Sequence, residues 1–299
     1  MAQGIGISIT ERIAAALVMD NAIFGDLVTD PEDSTNTDSL HGVPADAIVW
    51  RIAEQVRRLP ISDEVSHVGL AMPGIIRGGV VEDSPNLAQL KGVNMQGLLS
   101  DALASIVGKV PISIINDADA MAAGMAASRG HLDRLIRVWF LGTGIGYGRY
   151  PVQDGIWEAG HSVVTLDPKE RYCGCGGTGH LEGIMGLRAM RLRFLDLEPD
   201  EIFEQAQAGE ARCVEFVRLW HRALAAATAT GVHVSGPGKF FILGPGAKYL
   251  NLTLLNEFVQ EMVKLSPLQN YAIEIVPGGE HLEIIGASVN ASQAAGLTS

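Results

Sequence analysis

Basic residues are scarce in this chain: 22 Lys and Arg stand against 34 Asp and Glu, a net charge of -12. That balance argues against a nucleic-acid backbone as partner. Cysteine is scarcer, at three, too few for a disulfide framework and in keeping with a reducing cytoplasm. No apolar run has the length of a membrane span. Residues 1–6 carry no basic segment ahead of an apolar one, so no secretory signal is expected. What is present is globular: 47% of 299 residues are apolar, enough for two domains with separate cores.

Apolar spacing orders the chain. Short runs at 5–9, 13–18 and 22–28 read as three antiparallel strands, followed by a polar loop at 30–44. Helical spacing appears at 48–59, a buried strand at 68–72 ending in Pro73-Gly74, and a second helix at 95–107. A strand at 112–115 leads through Asn116-Asp117 into an Ala- and Met-rich helix at 118–127. The pattern then restarts with short strands at 137–141, 146–150 and 155–157. Helices follow near His180 and at 199–207 and 210–230, with Cys213 as a small core residue. A strand at 240–243, a helix at 249–264, a strand at 272–276 and a helix after Gly286 complete the chain. Repetition of strand-strand-strand-helix-strand-helix predicts two duplicated α/β domains facing each other across a cleft.

Two of the three cysteines, Cys173 and Cys175, stand one residue apart, with His180 after them and His161 before. Two thiolates and two imidazoles are a tetrahedral set that zinc accepts. A disulfide across one intervening residue is disfavoured by geometry. The alternative is two buried thiols beside two surface histidines.

Glu158-Ala-Gly160-His161 followed by Cys173-Gly-Cys175-Gly-Gly-Thr-Gly-His180-Leu-Glu182 resembles the signature of the ROK family, bacterial sugar kinases and sugar-responsive repressors. His180 stands where the family has a third cysteine, which implies a Cys2His2 rather than a Cys3His site. The resemblance covers residues 68–286 and implies an α/β fold of two actin-like, ribonuclease-H-like domains flanking a cleft. One would be residues 1–116 plus 286–299; the other, 117–285, would hold the zinc. It also implies a homodimer or homotetramer with a sugar and a nucleotide as ligands, and structural zinc, magnesium and ATP as cofactors.

Asp117 lies just past an apolar strand, where open α/β sheets bind ligands. A carboxylate there can take the proton of an attacking sugar hydroxyl. It can equally cap the helix that follows. The stretch Asn116-Asp117-Ala-Asp119-Ala resembles the family motif in which the first Asp is the base and the Asn holds the sugar. By the same resemblance Glu158, His161 and Glu182 contact the sugar, with one imidazole nitrogen on zinc, and Asn86 of Ser84-Pro85-Asn86 lies nearby. Gly142, Thr143, Gly144 and Gly146 resemble a phosphate loop, although a plain hairpin turn reads as well. Gly244 and Gly246 resemble the family's adenosine-side turn, altered by Pro245.

The first phosphate loop departs from the family pattern Asp-x-Gly-Gly-Thr-Lys. This chain has Gly6-Ile7-Ser8-Ile9-Thr10-Glu11-Arg12. One register puts Gly6 in place of the Asp and aligns Thr10 with the Thr; another puts Ile7 there. Both leave the carboxylate and the glycine pair missing. The resemblance as a whole implies an ATP-dependent hexose or N-acetylhexosamine kinase, with the altered first loop counting against it. A sugar-binding sensor on the same fold is the alternative, and a polyphosphate-using kinase ranks last because no basic track is visible. The first strand opens within a few residues of Met1, so a preceding helix-turn-helix is not expected.

Overall fold

The computed structural model describes residues 3–10, 12–32, 39–153, 155, 157–264, 271–277 and 279–297. Glu11 of the first loop, part of the polar loop (33–38) and Ile156 lie outside the described residues. The chain divides into two compact units. Unit 1 holds residues 1–136, 148–156 and 278–299; unit 2 holds 137–147 and 157–277.

In unit 1, β1 (Gln3–Ser8), β2 (Ile13–Met19) and β3 (Ala22–Asp30) pair antiparallel, and β4 (Val65–Met72) and β7 (Ile112–Asn116) add parallel. The sheet order is β3-β2-β1-β4-β7. Period-two alternation divides its faces. Ile5, Ile7, Ile9, Ile13, Ala15 and Leu17 share one core with Ile48, Ile52, Leu99 and Leu103 of α1 (Ala45–Arg58) and α2 (Met95–Val107). The opposite face is lined by small residues and is covered by α9 (Glu280–Ala294), which also packs on α3 (Asp117–Ser128). A short hairpin, β5 (Ile75–Arg77) and β6 (Val80–Asp83), escaped the sequence reading because each strand is under five residues.

Small residues set how close α9 comes. A Cβ on Gly6 would stand 2.0 Å from the Ile284 carbonyl oxygen, and one on Gly286 1.8 Å from that of Ala120. Gly286 is thus a crossing point within α9, not the start of a helix. The helix begins seven residues earlier than expected, at Glu280. The boundary expected at 116/117 is also displaced. Because α3 packs on α9, residues 117–136 stay with unit 1.

Unit 2 has the sheet order β11-β10-β8-β9, from β8 (Ile136–Leu141), β9 (Ile145–Tyr150), β10 (Lys239–Leu243) and β11 (Ala272–Ile275), with β10 and β11 parallel. The strand expected at 155–157 does not form at its described residues, Gly155 and Trp157. Trp157 is exposed, and the chain turns directly into a single 3-10 turn at Ala159–His161. Among the described residues the three-strand repeat is therefore seen in full only in unit 1. The helices are α4 (Leu181–Met185), α5 (Leu187–Arg193), α6 (Pro199–Gln207), α7 (Ala211–Ser235) and α8 (Leu252–Met262). Their core gathers Trp139, Cys213, Phe216, Trp220, Phe240 and Phe258.

The α7 helix runs five residues past its expected end. The fully buried Arg137 donates to the Gly231 and Gly236 carbonyls at 2.8 and 2.6 Å, satisfying acceptors that a helix end leaves open.

Gly286→Ala provides a test of the α9 contact. Helix propensity alone favours Ala by about 1 kcal/mol. The expected result is instead a loss of roughly 1–3 kcal/mol, because the added methyl has no room. Urea denaturation gives the sign.

Candidate active site and metal centre

The three parallel strands of unit 1 end side by side. Ser8 pairs with Ala71, Met72 pairs with Asn116, and the Ile9 N–H donates to the Ala71 carbonyl at 3.0 Å. The carboxyl edge of the sheet therefore brings together Ser8, Thr10, the Pro73-Gly74 turn, Asn116 and Asp117. This is where α/β sheets of this kind bind ligands. The Ser84 hydroxyl donates to the Pro73 carbonyl at 2.8 Å, which ties the turn holding the exposed Asn86 to the same edge.

Capping of α3 falls to Asn116. Its Oδ1 accepts from the Ala118 and Asp119 N–H groups at 2.9 and 3.3 Å, and its Nδ2 donates to the Gly74 carbonyl at 3.0 Å. By donor count a single amide N–H of Asn116 is left for a ligand. Asp117 is the first helical residue, and its Oδ1 accepts from the Ala118 N–H at 2.9 Å. Asp119 accepts the Arg149 N–H at 2.9 Å and is a bracing acid within unit 1.

The sequence reading missed Glu283. It lies one turn into α9 and is buried, and its Oε2 accepts from the hydroxyls of Ser8 and Thr10, the latter at 2.7 Å. Burial first, and the Asp117 carboxylate second, push its carboxyl up to about 8 against the pull of the two hydroxyls. The sequence does carry a signal. Glu283 interrupts the apolar run Leu282, Ile284, Ile285, where a charge has no place unless it meets a partner.

In unit 2 the four expected metal ligands converge. One donor atom from each of His161, Cys173, Cys175 and His180 lies within 4.8 Å of all the others. Cys173 Sγ is 3.3 Å from His161 Nδ1 and 3.4 Å from Cys175 Sγ, and Cys175 Sγ is 3.2 Å from His180 Nδ1. Tetrahedron edges built from zinc–sulfur and zinc–nitrogen bonds are about 3.3–3.8 Å, so the set fits zinc. Burial, first, and Glu182 close by push the Cys173 thiol up to about 12. A dication among the four donors would reverse that. With Nδ1 turned to the sulfurs, His161 turns Nε2 toward Glu158, whose Oε2 is 3.9 Å away.

Glu182 is a brace as well as a candidate ligand. Its Oε1 accepts from the Gly174 N–H at 3.4 Å, and its Oε2 accepts from the Ile145 N–H at 3.2 Å. It therefore links the metal loop to residues 142–146, the turn between β8 and β9 and the first residues of β9. Within that turn the Gly142 N–H donates to the Gly144 carbonyl at 3.0 Å. Gly244 and Gly246 lie against Leu141, at the same strand end. The structure thus gathers Gly142, Thr143, Gly144, Gly146, Gly244 and Gly246 at one edge of unit 2.

Two outcomes test these sites. Elemental analysis should return about one zinc per chain, and His180→Ala should release it and lower the melting temperature. For Glu283 the sign follows from its raised carboxyl. Between the unfolded value of about 4.5 and the folded value of about 8, folding takes up a proton. Its contribution to stability is full below this window, falls through it and is lowest above it. Denaturation curves for the protein and for Glu283→Gln should therefore diverge by a few kcal/mol between pH 5 and 8, with the variant gaining as pH rises.

The sequence profile of the ROK family matches residues 22–293, which leaves the altered loop at 6–12 outside the match. The chain is 30% identical over 276 residues to a glucokinase of Thermotoga maritima, covering 81% of this chain and 84% of that protein. It is 29% identical over 237 residues to a glucokinase of Pyrobaculum calidifontis, covering 74% and 76%. Among solved structures, a ROK hexokinase from Thermus thermophilus superposes with a TM-score of 0.80 at 22% identity, covering 99% of this chain and 100% of that one. The fold class is the expected one, α/β with two actin-like, ribonuclease-H-like domains. Among the described residues no helix is long and apolar enough to cross a membrane. With most of its length matched by the family profile, and a broadly covering relative at 30% identity, this chain belongs to the ROK family.

Proposed function

We propose that the chain is a sugar kinase that transfers the γ-phosphoryl group of ATP to a hydroxyl of a hexose or N-acetylhexosamine. The observation that carries this reading is Asp117. It stands at the carboxyl edge of the unit 1 sheet, in a chain whose broadly covering relatives are glucokinases.

Asp117 accepts the proton of the attacking hydroxyl as the oxygen–phosphorus bond forms and the bond to the ADP oxygen breaks. The Ala118 N–H on its Oδ1 helps to fix the carboxylate. Asn116 mainly holds the strand-to-helix turn and offers one N–H to the sugar. Asn86, Glu158, His161 and Glu182 supply further hydroxyl contacts, which set orientation and reject analogues. His161, Cys173, Cys175 and His180 would hold a zinc ion, and His161, its Nδ1 on that ion, would turn Nε2 to the sugar with its tautomer fixed. Residues 142–146, 244, 246 and Thr10 hold the nucleotide. The Ser8 and Thr10 hydroxyls and the Asp117 carboxylate make an all-oxygen edge, which suits magnesium. When bound, that ion neutralises charge on the phosphates.

One observation favours a second reading, a sugar-binding sensor. The first loop has no Asp, and both of its hydroxyls bind Glu283. A coupled assay with ATP over glucose, mannose, fructose, N-acetylglucosamine and N-acetylmannosamine separates the two. Turnover of at least one sugar is expected. Binding by calorimetry without turnover of any of them would establish the sensor instead. In the kinase, Asp117→Asn should lower kcat by about 10²–10⁴-fold and leave the sugar affinity largely intact.

A further inference from the structure

β1 itself, Gln3–Ser8, carries no acid, and the structure shows why none could sit at either expected position, 6 or 7. Gly6 is sealed against the Ile284 carbonyl, where even a methyl has no space. Ile7 is fully buried in the core on the opposite face of the sheet. Ser8 is the last residue of β1 on the α9 face, and its hydroxyl meets Glu283.

Glu283 reaches the same place from the other end of the chain. Its Oε2 collects two hydroxyl donors, one from the last residue of β1 and one from the turn beyond it. Two donors on Oε2 are met equally by a carboxylate, by the carbonyl oxygen of a carboxylic acid or by an amide oxygen. The group feels the Asp117 charge, so it lies on the side of unit 1 where phosphoryl transfer is proposed. A buried carboxylate is costly. A glutamine would make the same two hydrogen bonds without that cost, so these contacts alone do not account for an acid. A cation that takes oxygen ligands does account for it.

We propose that Glu283, reaching from α9 to Ser8 and Thr10, supplies the acidic function that β1 lacks and serves the magnesium ion of the bound nucleotide. This rests on the kinase reading. The carboxylate has moved from the strand to the helix that packs on it, and Ser8 and Thr10 act as positioning residues for it. The Thr10 hydroxyl spends its proton on Glu283 and keeps its lone pairs for the ion. Burial favours the protonated acid in the free protein, and a dication beside it reverses that preference.

The test is calorimetry of ADP binding to the full chain, with and without added magnesium, for the protein, Glu283→Gln and Thr10→Val. In the unaltered protein magnesium should tighten ADP binding. Glu283→Gln should lose about 10–100-fold of that magnesium-dependent gain. Its magnesium-free ADP affinity should be unchanged, because burial keeps the Glu283 carboxyl neutral until an ion binds, and its sugar affinity should not change. Thr10→Val should lose part of the gain, since Glu283 is then held by one hydroxyl. Melting curves establish that each variant is folded, and Thr10→Val carries the test if Glu283→Gln is not. A folded Glu283→Gln that keeps the full magnesium-dependent gain overturns the inference and leaves the kinase reading standing. Absence of any ADP binding by the unaltered protein overturns both.

Discussion

The close seating of α9 on a face of glycine and alanine is the contact on which unit 1 depends. Gly6 and Gly69 on the strands and Gly124 on α3 meet α9 backbone where no Cβ fits, and Gly286 of α9 meets α3 backbone in the same way. Backbone approach of this kind excludes water and leaves little freedom to shift, because packed interiors have few voids to move into. It fixes the end of the chain against its beginning. Glu283 then meets Ser8 and Thr10, and the start of α3, with Asn116 and Asp117, is held at the strand ends.

Unit 2 solves a different problem. Its metal loop has little regular structure and little apolar side-chain surface of its own, and such a stretch does not order itself by burial. Four donors placed to hold one ion would supply the missing constraint. Glu182 extends that constraint to the turn at 142–146 through the Gly174 and Ile145 N–H groups. One ring nitrogen of His161 faces the Cys173 sulfur, and the other points to Glu158. An ion held there would also aim a polar side chain.

The ROK profile begins only at Ala22, after the segment in which this chain departs most from the family pattern. Read along the sequence, that departure looks like a loss. In three dimensions a carboxylate is still present at the end of β1, contributed by a helix more than 270 residues away in the chain. A missing motif residue is therefore weak grounds for assigning a loss of chemistry, because the chemistry depends on a position in space.

The sequence alone determined what period and donor type can determine. Alternating apolar residues at 5–9 and 13–18 set the strands, helical spacing at 48–59 and 95–107 set the helices, and the close spacing of Cys173, Cys175 and His180 fixed three of the four metal ligands on one short loop. Asn116-Asp117 was legible because a strand end followed by a capping residue is a local pattern. The tertiary structure decided the rest. Gly286 looked like a helix boundary and is a helix crossing, since only the neighbouring α3 backbone shows why a side chain is excluded there. The expected strand at 155–157 gave way at its described residues to the approach of the metal loop. Glu283 reads as an ordinary helical acid until α9 is laid on the sheet. Its role comes from hydroxyls at the far end of the sequence, and no local pattern encodes a contact between residues so far apart.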